Sequence, residues 1–314
     1  MSTKPAVLMI GAYPAWDMED LDARYVVHKL WEATDRDRLI EEHRDGIRAI
    51  ATRGELGASA DLMKRLPALE IISCYGVGTD AIDLVHARVN GIRVTNTPDV
   101  LTADVADMAI GLLLAVARKI PQADRFVREG RWTKGNMPLV TRVTGKSAGV
   151  VGMGRVGAAV AKRLAAFDCE VAYFDLARRA DLPYTFVPDL VELARRAEFL
   201  IVTLAGGEST KGIVNARVLD ALGPDGILVN VSRGSTVDET ALIRALEAKA
   251  IKGAGLDVFW NEPNIDERLL PLENVVVQPH HASGTTETRR AMGKLVRDNL
   301  AAHFSGSALI TPVA

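Results

Sequence analysis

A chain of 314 residues, 48% apolar and 25% charged, holds enough material for two ordinary domains, and its 38 basic against 40 acidic residues leave no basic stripe to draw nucleic acid. No run of 18 apolar residues is present and the apolar run at 6–10 is too short for a leader peptide, so no membrane partner and a cytoplasmic location are expected. Cys74 and Cys169 stand apart, outside any Cys-x-x-Cys pair, and no His/Cys/carboxylate cluster has ligand spacing, so neither a disulfide framework nor a metal site is expected.

Read in chain order, short β-branched runs alternate with longer segments of helical period. The spacing predicts strands over 7–10, 47–51, 70–73 and 92–95, then over 147–151, 170–174, 199–202, 227–230, 254–257 and 275–278. Helices are expected between them, among them 155–167, 187–196, 239–248 and 285–303. Strands this short and apolar, separated by helices, imply parallel sheets covered on both faces and joined by right-handed crossovers. The segment 102–120 departs from the rhythm, because Ala, Met, Ile and Leu occupy nearly every face of its helical pattern. Such a helix is buried between layers, domains or subunits. It follows Thr97-Pro98-Asp99, a turn signal that places a first domain over 1–98. A second domain then covers 99–284, and the last helix returns 285–314 to the first. The expected fold class is α/β, with two Rossmann-like, doubly wound parallel-sheet domains and a cleft between them. A boundary crossed twice is compatible with hinge closure.

Val150-Val151-Gly152-Met153-Gly154-Arg155-Val156-Gly157 is a G-x-G-x-x-G stretch with a predicted strand before it and a predicted helix opening inside it, the context that gives the pattern meaning. Gly152 allows a tight turn, Gly154 lets a pyrophosphate approach the backbone, and Gly157 lets helix pack on strand. The phosphates of a dinucleotide then lie at the positive end of the helix dipole, on N–H groups without helical partners. The next strand ends in Asp175, 18 residues after Gly157. A carboxylate there accepts hydrogen bonds from the adenosine ribose and repels a 2′-phosphate, which favours NAD over NADP. Arg178 and Arg179 follow closely and keep NADP open.

Arg233 follows the strand at 227–230, Glu262 that at 254–257 and His280 that at 275–278. Ligands of open α/β sheets bind beyond the carboxyl ends of the strands, so residues at three successive strand ends converge. Hydride transfer to a carbonyl carbon leaves negative charge on the oxygen and requires a proton donor, which a histidine supplies in either direction near neutral pH. A carboxylate stabilises imidazolium, and Glu262 can do so for His280. A guanidinium grips a carboxylate with two parallel hydrogen bonds and polarises an adjacent carbonyl, a role open to Arg233. His281 stands beside His280, and spacing alone does not separate them.

Together with Tyr75-Gly76-Val77-Gly78-Thr79-Asp80, Thr95-Asn96-Thr97-Pro98, Val231-Ser232-Arg233-Gly234, Gly255-Leu256-Asp257-Val258-Phe259, Asn261-Glu262-Pro263 and Pro279-His280-His281-Ala282-Ser283-Gly284-Thr285, these motifs resemble the D-isomer-specific 2-hydroxyacid dehydrogenase family over nearly the whole chain. The family's Pro-His-x-Ala pattern selects His280 as the acid/base. The resemblance implies that Val77 and Gly78 offer N–H groups to the carboxylate of a small 2-oxo or 2-hydroxy acid, which Arg233 and His280 also contact. It implies that Asp257 faces the nicotinamide amide, and that Val231 and Ser283 join Gly152, Met153, Gly154, Arg155, Val156, Gly157 and Asp175 around the cofactor. It further implies a homodimer paired through the cofactor domains, with which the apolar 102–120 helix agrees.

Within the family, the stretches 93–131 and 300–312 look most like the glyoxylate/hydroxypyruvate reductase and hydroxyphenylpyruvate reductase branch. The implied reaction is NAD(P)H-dependent reduction of a 2-oxo acid such as glyoxylate or hydroxypyruvate to the D-2-hydroxy acid. The alternative substrate is an aromatic or branched 2-oxo acid such as hydroxyphenylpyruvate, chosen by pocket side chains such as Tyr75, Trp132 and Met137. The rival from another class is an NAD-sensing interaction protein. NADP-using members of the branch resemble Ser-Arg-Ser where this chain has Asp175-Leu176-Ala177, so Leu176 replaces the phosphate-clamping arginine. Formate dehydrogenases are similar in outline but pair their histidine with Gln, and Glu262 argues against that reading.

Overall fold

The computed structural model describes residues 4–313, which fold as two units: residues up to Leu101 with those from Gly284 onward, and Thr102–Ser283. The first unit contains strands β1 (Ala6–Met9), β2 (Val26–Lys29), β3 (Ile47–Arg53), β4 (Ile71–Tyr75) and β5 (Arg93–Thr95). Its helices before Leu101 are α1 (Ala15–Arg24), α2 (Arg36–His43), α3 (Ala60–Lys64) and α4 (Leu84–Val89). All pairings are parallel, in the order β2-β1-β3-β4-β5. This is the flavodoxin-like doubly wound order, which reverses between β1 and β3. Ile47, Ile50, Ile71 and Ile72 are fully buried, each contributing about 1.5–3 kcal/mol of burial free energy. The pattern of apolar runs misses β2, because an edge strand with an exposed Val26 and polar His28 and Lys29 has no apolar run to find.

The second unit opens with α5 (Thr102–Ala117) and α6 (Ile120–Arg128). Then follow β6 (Ser147–Val151), α7 (Arg155–Ala166), β7 (Glu170–Phe174), β8 (Thr185–Phe186), α8 (Leu190–Arg196) and β9 (Phe199–Val202). The unit closes with α9 (Ala216–Leu222), β10 (Ile227–Asn230), α10 (Glu239–Glu247), β11 (Gly253–Leu256) and β12 (Val275–Val277). The seven strands are parallel in the order β12-β11-β10-β9-β6-β7-β8. Counted from β6, this is the dinucleotide-binding order 3-2-1-4-5-6 with one strand added, and it reverses between β6 and β9. Tyr173, Phe199, Ile201, Ile227 and Leu228 fill its core without exposure.

The long apolar segment after Pro98 forms two helices, where one helix over 102–120 was expected. Lys119 takes a left-handed φ of 51°, and α6 restarts with Pro121 in its first turn, the position proline favours. Nor does α5 need another subunit to cover it. Val105, Ala109, Leu112, Leu113 and Val116 are buried within the unit, where the helix packs on α7, β10 and β11. A Cβ on Gly255 would lie 2.9 Å from Leu112 Cβ, so the glycine lets α5 lie close on β11. The uncovered apolar surface is on α6, which buries no residue: Ile120 and Val127 are more than half exposed, as are Trp132 and Leu139 in the segment that follows.

After β12 the chain returns to the first unit as α11 (Thr286–Phe304), whose N-cap Thr285 accepts the Thr288 N–H and whose side packs on β4. Among the described residues no helix is long and apolar enough to cross a membrane, and no cluster of three metal-ligating side chains occurs.

Candidate active site

The glycine stretch lies between β6 and α7, at the point where the strand order of the second unit reverses. Gly152 has φ 95°, a region that glycine enters without steric cost, and a Cβ there would lie 2.9 Å from the Leu204 backbone. A Cβ on Gly157 would sit 1.9 Å from the Gly152 carbonyl oxygen, so the first turn of α7 rests directly on the loop. At Gly154 a Cβ would meet nothing within 4 Å, which leaves backbone facing open space. No side chain caps α7, and its first turn holds no acidic residue. The first N–H groups of a helix have no intrahelical partner, and Arg155 and Val156 carry two of them at the dipole's positive end. The cradle therefore fits the pyrophosphate of a dinucleotide.

Asp175 stands just past β7. Its Oδ2 accepts the Met153 N–H at 2.6 Å and its Oδ1 the Leu176 N–H at 2.6 Å. The carboxylate thus braces the middle of the glycine loop. Arg179 holds the other side of the same residue, donating from Nη1 to the Met153 carbonyl at 3.0 Å.

Three loops at the carboxyl ends of the neighbouring strands β10, β11 and β12 carry the polar constellation. His280 Nδ1 lies 2.6 Å from Glu262 Oε2, while Glu262 Oε1 accepts the Phe259 N–H at 2.8 Å. Burial alone would raise the Glu262 carboxyl. The His280 and Phe259 hydrogen bonds, with the fields of His280 and Arg233, outweigh it and hold Glu262 below the ordinary carboxylate range. An ionised carboxylate only accepts, so His280 Nδ1 is the donor and Nε2 is left for other chemistry. His281, by contrast, is exposed. Geometry thus separates two histidines that spacing could not.

Asp257, buried just past β11, organises the His280 loop. Its carbonyl accepts the His280 N–H at 2.8 Å, its Oδ1 the His281 N–H at 2.7 Å and its Oδ2 the Ala282 N–H at 3.0 Å. His280 has φ 50°, a left-handed conformation costing on the order of 1–3 kcal/mol for a residue with a Cβ. Three hydrogen bonds, two of them to a carboxylate and worth about 1.5–3 kcal/mol each, exceed that cost and hold the histidine in place. Burial pushes the Asp257 carboxyl up, and the two N–H groups work against it. Ser283 continues this loop, and Val231 lies buried just past β10.

Arg233 is positioned by residues the sequence analysis did not single out. Asn230, at the end of β10, donates from Nδ2 to the Arg233 carbonyl at 3.0 Å and accepts the Ser232 N–H at 3.0 Å. Thr236 Oγ1 donates to the same carbonyl at 2.7 Å. Gly234 completes the turn because a Cβ there would lie 1.9 Å from the Phe259 carbonyl carbon. The arginine loop is therefore pressed against the loop that carries Glu262. The Asn230-x-x-Arg233-Gly234 spacing was the available signal, but its meaning depends on a contact 25 residues away in sequence.

In the first unit, Val77 and Gly78 sit in the loop after β4. The Gly76 carbonyl accepts the Thr97 N–H at 2.9 Å, the Val77 carbonyl accepts from Asn96 Nδ2 at 2.9 Å, and the Gly78 carbonyl from Cys74 Sγ at 3.5 Å. In a trans peptide the N–H points opposite to the preceding carbonyl. Pinning the Gly76 and Val77 carbonyls to donors of their own unit thus turns the Val77 and Gly78 N–H groups the other way.

Residues 110–282, more than half the chain, match the family model described as the D-isomer specific 2-hydroxyacid dehydrogenase, NAD binding domain. The chain belongs to that family. It is 47% identical over 307 residues to a glyoxylate/hydroxypyruvate reductase A from Arabidopsis thaliana, covering 98% of each chain. Its fold is similar to that of a 2-hydroxyacid dehydrogenase from Ketogulonicigenium vulgare, with a TM-score of 0.93 and 55% identity over 99% of each chain. It is also similar to an NADPH-dependent glyoxylate/hydroxypyruvate reductase from Sinorhizobium meliloti in complex with NADP and malonate, with a TM-score of 0.91 and 44% identity over 99% of this chain and 97% of that one. The chain is an NAD(P)-dependent oxidoreductase of that family.

Proposed function

We propose that the chain reduces a small 2-oxo acid of the glyoxylate or hydroxypyruvate class to the D-2-hydroxy acid, with NADH preferred over NADPH. The observation that carries this reading is the 2.6 Å His280–Glu262 pair, with Arg233 beside it, at the carboxyl ends of a dinucleotide-binding sheet. The dinucleotide, when bound, supplies the hydride. Gly152, Met153, Gly154, Arg155, Val156 and Gly157 cradle its phosphates, and Asp175 meets the adenosine ribose. Val231, Ser283 and the remaining acceptor capacity of Asp257 lie toward the nicotinamide.

Arg233 binds the substrate carboxylate and also polarises the 2-oxo group. His280 Nε2 delivers its proton to the carbonyl oxygen as negative charge develops there, and the ionised Glu262 stabilises the imidazolium that precedes transfer. In the reverse direction Nε2 takes the hydroxyl proton.

Two copies of the chain pair through the second unit, covering the apolar face of α6 and the segment around Trp132 and Leu139. The buried cysteines Cys74 and Cys169, which form no disulfide, suit a reducing, cytoplasmic setting. The test is a panel of 2-oxo acids with each reduced dinucleotide, followed by nicotinamide absorbance and run in parallel on His280→Ala. Glyoxylate and hydroxypyruvate should lead, and the variant should lose about 10²–10⁴ in kcat while still binding dinucleotide. Full activity in the variant removes the acid/base assignment, and a lead for hydroxyphenylpyruvate moves the substrate to the aromatic class.

A further inference from the structure

We infer that Asp181 is a second determinant of dinucleotide choice, because it masks an arginine that would otherwise clamp a 2′-phosphate. The inference rests on the NAD reading above. Leu176 occupies the place next to Asp175 where a cation would meet such a phosphate, and it is almost fully exposed. The cation the structure does bring to this end of the site comes from three residues further on.

Arg179 is anchored from both ends. Its N–H donates at 2.7 Å to the hydroxyl of Tyr173, a fully buried residue of β7, the same strand that delivers Asp175. Its Nη1 donates to the Met153 carbonyl, while the Met153 N–H is held by Asp175. Arg179 and Asp175 therefore grip one residue of the glycine loop from opposite sides, which sets the guanidinium at the ribose end of the cradle. Its remaining edge is occupied by Asp181, with Nε to Oδ1 at 2.9 Å and Nη2 to Oδ2 at 2.8 Å. That two-point geometry is the one a phosphate would use. Asp181 thus acts twice: it fills the fork and it cancels the charge. With Asp175 it presents two carboxylates and one neutralised arginine to the 2′ position.

The pair is exposed to solvent, and such pairs contribute little to stability. A variant at Asp181 is therefore expected to fold. The experiment is calorimetric binding of adenosine 2′,5′-bisphosphate and of 5′-AMP to the wild type, to Asp181→Ala and to Asp181→Ala/Arg179→Gln. The wild type should bind 5′-AMP more tightly. In Asp181→Ala the ratio of bisphosphate to 5′-AMP affinity should rise about five- to tenfold, as expected for an exposed arginine released to phosphate. Adding Arg179→Gln should return the ratio to the wild-type value. An unchanged ratio in Asp181→Ala overturns the inference while leaving the NAD reading intact, and so does a gain that survives without Arg179. Equal binding of the two ligands by the wild type overturns both.

Discussion

Each sheet has one place where the strand order reverses, and at each a strand runs through a turn into a helix: β1 into α1 in the first unit, β6 into α7 in the second. The topology is alike and the chemistry is opposite. The first turn of α1 carries Asp17, which is fully buried and ion-paired with Arg297 of α11. The positive end of that helix is occupied by the chain's own carboxylate. The first turn of α7 has no acid and no side-chain cap, and its Gly154 faces open space. A doubly wound sheet therefore supplies a place for an anion at each switch point, but only a sequence that leaves the place empty makes it a ligand site.

The largest effect expected from testing this contrast is on stability. Arg297→Ala leaves Asp17 buried without its cation and should cost about 3–5 kcal/mol, read from the urea midpoint. Dinucleotide titration of the folded variant should match the wild type, and a loss of binding there would break the comparison. A smaller effect separates the glycines of the two turns. Gly157→Ala drives a methyl into the Gly152 carbonyl at 1.9 Å, and should cost about 1–3 kcal/mol and weaken dinucleotide binding. Gly11→Ala meets first the terminal Cδ1 of the exposed Leu56, which can swing aside, and should leave both properties near wild type.

The smallest effect is electrostatic. Asp17 pairs with a permanent cation, whereas Glu262 pairs with a histidine. Glu262 is held below the ordinary carboxylate range against the pull of its own burial, so its ionised form favours the folded state. That contribution is complete above the unfolded carboxylate value and is lost as pH falls through the lower folded one. The thermal-midpoint difference between wild type and Glu262→Gln should therefore be present at neutral pH and shrink in acid. A difference that grows in acid would reverse the assigned sign.

The contrast also marks what local pattern can reveal. The strands at 147–151, 170–174, 199–202 and 227–230 coincide with β6, β7, β9 and β10, because central strands buried on both faces must be apolar throughout. The edge strands β2 and β8 were invisible for the complementary reason. The break between α5 and α6 was missed because Lys119 needs a left-handed φ that no apolar periodicity encodes. Gly152 and Gly157 were legible because a tight turn and a close helix leave no room for a Cβ, and Gly154 because it completes their spacing. The loop-holding role of Asp257 was not, since it consists of hydrogen bonds to residues 280–282.

The amino-acid sequence by itself determined the parallel α/β class, the glycine loop and the succession of Arg233, Glu262 and His280 at strand ends, since each follows from spacing within one strand and its turn. Only the tertiary structure set His280 on Glu262, pressed Gly234 against Phe259 and set Asp181 on Arg179. Those outcomes depend on contacts between segments distant along the chain or on backbone angles imposed by packing, and such contacts exist only once the sheet has brought the loops together.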